Sequence, residues 1–329
     1  MPIFPVLARW LAPLAMLCAL AAHPLAAAAQ GGWPERPLRV IVPYSPGGNT
    51  DLIARAIMER LAVRLGQPIV VENRPGANSI LGTGQVANAP ADGYTLLIAI
   101  PAYALNRALY KQLPYAADAL APVTQLTRTS LVIVTSAALP LADFPTLLQY
   151  GRAGSPPLTF ASSGLGSMAH LLGERLAQST GMAHAMHIPY KGSTDALNDL
   201  LSGRIGFMFD AVSAMGPHIQ QGKLNAVAVT GETRSPMLPE VPTVIELGHP
   251  ELESYAWAGL FAPKGTPTAI VQRLADETAQ VLRDPELRAK LAGLATEPVG
   301  SPPAQFAEFV DNEVALGAAT VQRIGLTLQ

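Results

Sequence analysis

Cysteine is almost missing from this 329-residue chain, and the one that is present, Cys18, lies in an N-terminal stretch that reads as a removable leader. Once the leader is gone, no disulfide, thiol nucleophile or cysteine-ligated metal is possible. Charge is sparse as well. Asp, Glu, Lys and Arg make up 14% of residues, the net charge is −2, and no basic run occurs. That balance argues against a nucleic-acid partner. Beyond the N-terminus, no stretch is long and apolar enough to be a membrane helix. What the chain does have is 49% hydrophobic residues and length for about two domains, enough to bury a sizeable core.

Residues 1–29 have the pattern of a secretory signal. Arg9 supplies the positive start, residues 10–22 form a short apolar region, and Ala27-Ala28-Ala29 offers a small-residue cleavage site before Gln30. Leu17 is too large for a usual lipoprotein signal, and Cys18 sits in the middle of the apolar region, which argues against lipidation. The expected product is a soluble exported protein.

The apolar run 38–42 feeds the loop 43–51, Pro-Tyr-Ser-Pro-Gly-Gly-Asn-Thr-Asp, which opens an amphipathic helix carrying Ile53, Ile57 and Leu61 on one face. Gly47 and Gly48 permit a tight turn, and Asn49, Thr50 and Asp51 are cap-type residues. Strands at 69–72 and 94–100 follow, with a short helix over 79–88 between them. A second strand–helix unit is expected to open at Leu131, with a helix within 139–152 and a strand at 158–161. Its serine–glycine loop, Ser162-Ser163-Gly164-Leu165-Gly166-Ser167, also leads into a helix. Later strands at 185–190, 204–210 and 224–229 alternate with helices, residues 260–262 rejoin the first sheet, and the remainder is helical. The alternation predicts an α/β protein with a parallel sheet covered on both faces. Both loops lie at carboxyl ends of strands, where open α/β sheets bind ligands.

No nucleophile elbow, metalloprotease motif, phosphate loop or complete dinucleotide fingerprint is present. His184 and His187 lack the partners of a zinc site and read as exposed strand residues. No cofactor and no metal are expected. Two glycine loops at helix starts suit a small anion, since the first helical N–H groups and the helix dipole both favour negative charge. Thr50, Ser162, Ser163 and Ser167 would supply hydroxyls. His170 lies one turn into the helix, and Tyr190 and Lys191 follow a strand, with Lys191 a candidate counter-charge. Asp210 would repel a carboxylate but receive a hydroxyl or ammonium group.

Segments 43–51 (PYSPGGNTD), 66–76 (GQPIVVENRPG), 92–95 (DGYT), 159–171 (TFASSGLGSMAHL), 187–193 (HIPYKGS) and 239–243 (PEVPT) resemble the periplasmic substrate-binding proteins of tripartite tricarboxylate transporters, the Bug family. The resemblance runs in order from about Trp33 to the C-terminus and includes 260–267 (LFAPKGTP). It implies a hinged, two-domain periplasmic-binding-protein fold, type II-like, with the ligand cleft between domains. Domain 1 would comprise 30–130 plus 235–329 and domain 2 would comprise 131–234, with crossings near 127–131 and 229–234. It implies a receptor for a small mono-, di- or tricarboxylate, monomeric, with transporter or sensor subunits as partners. Carried over residue by residue, the ligand-binding candidates are Gly48, Thr50, Asp51, Ser162, Ser163, Gly166, Ser167 and His170. Two segments depart from the family pattern: Ala77-Asn78-Ser79-Ile80-Leu81-Gly82, within which Ser79 is kept as a candidate, and Ile100-Pro101-Ala102-Tyr103, where Tyr103 could wall the cleft. The rival reading is an exported serine hydrolase, which would need a histidine base oriented beside Ser163 or Ser167.

Overall fold

The computed structural model describes residues 32–190 and 192–326. The expected signal segment and Lys191 lie outside the described residues. The chain divides into Met1–Glu35 and Arg36–Gln329, and everything below concerns the second unit. No helix among the described residues is long and apolar enough to cross a membrane.

Three parallel strands begin the sheet: β1 (Leu38–Val42), flanked by β2 (Ile69–Asn73) and β3 (Thr95–Ala99). Leu38, Val40, Ile41 and Val42 are fully buried, as expected of a central strand with elements on both faces. Between the strands run α1 (Asn49–Leu65), ended by Gly66 in the left-handed conformation, and α2 (Ile80–Ala87). After β3 come α3 (Ala102–Leu109) and then β4 (Leu120–Ser136), a single strand of 17 residues.

The second part holds α4 (Phe144–Ala153), β5 (Thr159–Ser162), α5 (Met168–Ser179), β6 (Met186–Pro189), α6 (Ser193–Leu201), β7 (Phe207–Ala211), α7 (Val212–Gln220) and β8 (Leu224–Val229). The chain returns through β9 (Tyr255–Pro263) and closes with α8 (Thr268–Val281), α9 (Pro285–Ala292), β10 (Glu297–Pro298) and α10 (Pro303–Ile324).

Two expectations are corrected. The sheet is mixed, not parallel: β5 pairs in parallel with β6 and β7, but β4 is antiparallel to β7, β8, β9 and β10, and β3 is antiparallel to β9. The second unit also does not open with a strand at Leu131. That position is the middle of β4, whose residues 120–130 pair with β9 while residues 131–135 pair with β7. The first stretch, LAPVTQLTRTS, contains Pro122 and polar residues, so it does not read as a buried strand. Two register shifts in the β4–β9 pairing fall at Pro122/Thr124 and Gln125/Thr127, consistent with bulges that absorb a proline.

Apolar side chains pack separately on the two parts. Trp257, Phe261, Phe306 and Tyr103 centre one cluster. Phe144, Phe160, Phe207 and Phe209 centre another, which also takes in Val244 and Leu252 from the irregular segment before β9. Leu105 and Leu109 of α3 meet Leu171 of α5 and Val321 of α10. Within the first cluster, β9 passes so close to α10 that a Cβ on Gly259 would lie 2.1 Å from the Phe306 ring. Gly259→Val should therefore destabilise the fold by about 1–3 kcal/mol through overpacking, read as a lower urea midpoint with an unchanged slope. An unchanged midpoint would mean that α10 yields more readily than this packing implies.

Candidate ligand-binding cleft

Side chains alternate along β4, and Thr127, Thr129 and Leu131 of one face border a cavity of about 400 Å³, a volume suited to a small organic molecule. Helix starts surround it. Asn49 and Thr50 open α1, Pro101 and Ala102 precede and open α3, Ser167 and Met168 precede and open α5, Ser193 opens α6, and Ala211 precedes α7; all line the cavity. The first turns of five helices thus border one space, and each carries N–H groups without an intrahelical partner and the positive end of a dipole. Ile53, Leu105, Met168, Phe209 and Trp257 supply apolar surface. Among the described lining residues there is no Lys, Arg or His, and the one carboxylate is Asp210.

Of the residues expected from sequence, Thr50, Ser163, Gly166, Ser167 and Asp210 come together on this wall. The other described candidates do not line it. Gly48 is the N-cap of α1, with its carbonyl accepting the Leu52 N–H at 3.0 Å. Asp51 does not cap the helix. It is buried under the glycine loop, where its Oδ2 accepts the Gly47 N–H at 2.9 Å and Arg55 Nε at 3.1 Å, while Oδ1 accepts Asn73 Nδ2 at 2.9 Å. Burial alone would raise its pKa, but the hydrogen bonds from Arg55, Gly47 and Asn73 together hold it below the ordinary carboxylate value. Ser79 is buried before α2, its Oγ 3.4 Å from Asn106 Nδ2. Tyr190 donates its hydroxyl to Asp199 at 2.7 Å.

The serine loop rests on a histidine pair. Ser167 caps α5 by accepting the His170 N–H at 3.3 Å, and the buried His170 ring accepts the Gly166 N–H through Nδ1 at 3.1 Å. Gly166 has φ +74°, and a Cβ there would strike Leu109 at 2.8 Å; only glycine meets both conditions. His170 therefore supports the loop from beneath instead of facing the cleft. Its ring stacks on His187 at 3.7 Å between centroids, so His187 is half-buried and not the exposed strand residue expected. His187 Nε2 lies 2.7 Å from Ser162 Oγ. That spacing suits a nucleophile and base, yet Ser162 is fully buried and off the cavity wall. The Ser162 hydroxyl donates to Gly164 O at 2.9 Å and accepts the Gly164 N–H at 3.1 Å. The pattern assigns the ring proton to Nε2, pointing at Ser162, so this nitrogen cannot take a proton from it.

Sequence reasoning passed over Tyr44, Thr127, Thr129, Ser193 and Trp257 as wall residues. Thr127, Thr129 and Leu131 did carry a period-two signal, but it was invisible while 120–130 was not read as a strand. Tyr103, expected as an aromatic wall, is buried in the first core against Phe261, and its hydroxyl accepts Arg107 Nη2 at 2.7 Å. The aromatic surface comes instead from Tyr44, Phe209 and Trp257. The departing segment at Ala77, Asn78 and Ser79 has three consecutive non-glycine residues at φ +46°, +49° and +74°. Such a run is strained, and it is pinned by Asn78 Nδ2 donating to Asn106 Oδ1 at 2.8 Å and Asn106 Nδ2 donating to Asn78 O at 2.7 Å. Asn78 reaches the cavity wall as a result.

Residues 53–326 match the family model described as tripartite tricarboxylate transporter family receptor. Protein BugT of Bordetella pertussis is 37% identical over 300 residues, 90% of this chain and 92% of BugT. An R. palustris protein solved with adipate is 34% identical with a TM-score of 0.76, covering 90% of this chain and 100% of that one. MatC of Rhodopseudomonas palustris, solved with bound malate, is 31% identical with a TM-score of 0.71, covering 88% and 100%.

Burial, and next the neighbouring His170 ring, push the His187 pKa down to about 4. The folded chain thus binds this proton less readily than the unfolded chain, and the stability involved is present above the ordinary value near 6.5 and lost as pH falls from there to about 4. After solvent screening of a half-buried ring, that loss is on the order of 1–2 kcal/mol. His187→Gln should remove this part of the acid lability, measured as urea midpoints at pH 7 and pH 4. Equal pH dependence in both proteins would count against the assignment.

Proposed function

Because the chain belongs to the tripartite tricarboxylate transporter receptor family, we propose that it is an exported receptor that captures a small carboxylate in the β4-lined cavity by domain closure and delivers it to a membrane transporter. The observation that carries this reading is the convergence of five helix starts on a cavity whose described wall has no cationic side chain. Each helix start is worth about 0.3–1 kcal/mol to an anion, up to ~2 when partly buried. With hydroxyls from Thr50, Ser163 and Ser167, a total near −8 kcal/mol, a micromolar affinity, is within reach. The two relatives solved with adipate and with malate bind carboxylates, which supports the same ligand class here.

On this reading one domain comprises 36–130 and 255–326, and the other 131–254. The return crossing is drawn near Ser254, later than the expected 229–234, because Val244 and Leu252 pack with Phe160 and Phe207. The Ser254 N–H also donates to Thr230 O at 3.0 Å. The hinge then consists of β4 at Ser130–Leu131 and the step into β9, where β4 exchanges its neighbour. The role is binding and not catalysis. The Ser162–His187 pair is sequestered from the cavity, and no orienting acid is bonded to it among the described residues.

A thermal-shift screen followed by calorimetry tests the proposal, with citrate, succinate, malate, adipate, nicotinate, benzoate and terephthalate as probes. A true ligand at a hundred times its Kd should add about 2.7 kcal/mol of stability. Thr50→Val and Ser167→Ala should each weaken its binding roughly tenfold, the loss of one hydrogen bond to a charged group. Ser167→Ala also removes a helix cap worth about 1 kcal/mol, so Thr50→Val is the cleaner comparison. Stabilisation by neutral solutes but by none of these acids would overturn the reading.

A further inference from the structure

Asp210 stands out on a wall otherwise arranged for negative charge. It lies near the end of β7, paired across the strands with Val132 of β4. Its Oδ1 accepts the Ala211 N–H at 2.7 Å. Its Oδ2 is buried without a well-formed hydrogen bond, although the Ser193 side chain lies near enough to act on the carboxyl, and Asp210 makes no ion pair with the described cationic side chains. Burial raises its pKa, opposed by the Ala211 N–H and the Ser193 side chain. A buried polar atom without a partner is costly and calls for an explanation. Asp210 itself borders the space in which the ligand sits.

We infer that Asp210 selects among carboxylates: its Oδ2 accepts a hydrogen bond from a hydroxyl or ammonium group of the ligand, so that the preferred class is a hydroxy- or amino-substituted carboxylate. This rests on reading the cavity as a carboxylate site. The ligand's carboxylate would lie toward the helix starts at Thr50 and Ser167. A plain acid of the same length leaves Oδ2 unpaired, and sites with a buried polar group discriminate strongly against ligands that fail to satisfy it. A second carboxylate placed against Asp210 is disfavoured further, because two like charges cannot both remain ionised at close range without cost. An ammonium group would go further and neutralise the one carboxylate on the wall.

Matched pairs that differ by one substituent provide the test: succinate against malate and aspartate, and hydrocinnamate against phenyllactate and phenylalanine. Dissociation constants are measured by calorimetry at pH 7.5 for the wild type, Asp210→Asn and Asp210→Ser, with thermal unfolding to show that each variant is folded. The expected result is at least a tenfold preference for the substituted member of one pair in the wild type. In Asp210→Asn that preference should fall to about threefold or less, with the plain acid bound as well as before or better. Asp210→Ser supplies the same comparison if the amide folds poorly. Plain acids binding as tightly as their partners in the wild type would overturn the inference while leaving the carboxylate site intact. A preference that survives both substitutions would overturn it too, by assigning selection to another group. If no member of either pair and no acid of the wider panel binds the wild type, the carboxylate reading itself fails and this inference with it.

Discussion

The rest of the structure depends on the unbroken pairing of one strand with two sets of neighbours. β4 runs for 17 residues, pairs with β9 and β10 along its first part, and pairs with β7 and β8 along its second. It is therefore paired along most of its length, and the two parallel three-strand groups are joined through it without an exposed strand edge between them. The exchange of neighbours at Ser130–Leu131 is also where the aromatic clusters separate, with Trp257 and Phe261 on one side and Phe207 and Phe209 on the other. Alternation along this strand then aims Thr127, Thr129 and Leu131 at the cavity, so the element that holds the halves together also forms part of the wall.

The electrostatics of that wall come from backbone and not from charged side chains. Five helices begin there, so an anion can be met by N–H groups that would otherwise be unpaired. The ionisable groups near the loops work underneath them. Asp51 gathers Gly47, Arg55 and Asn73 beneath the first loop, and His170 with His187 does the same beneath the second. Each loop is held in shape before a ligand arrives, which lowers the ordering cost of binding. Asp210 is the exception, a carboxylate on the wall itself with an oxygen left over.

The strained turn at Ala77, Asn78 and Ser79 belongs to the same account. Left-handed backbone at three successive residues with side chains is unfavourable, yet the reciprocal bonds between Asn78 and Asn106 hold it in place. The unusual residues in this segment were visible in the sequence as a departure from the family pattern. Their partner, Asn106, lies 28 residues away on α3, and nothing local to either segment connects them.

Sequence by itself determined the α/β character, most of the helices, both glycine loops and the family, because these rest on local signals: periodicity, cap residues and contiguous motifs. It also singled out Thr50, Ser163, Gly166, Ser167 and Asp210, which stand at strand ends, helix starts and the loop between them, where a side chain's place follows from local structure. Only the tertiary structure decided that Asp51, Ser162 and His170 face inward beneath those loops, since the direction of each is set by partners remote in the fold or buried by them. It alone joined residues 120–130 and 131–136 into one strand, because the proline and polar residues there are tolerated through bulges and through pairing with β9, more than a hundred residues later in the chain. Trp257 reached the cavity by that pairing, a long-range contact for which no local pattern carries a signal, and the same pairing made a wall of the period-two pattern at Thr127 and Thr129.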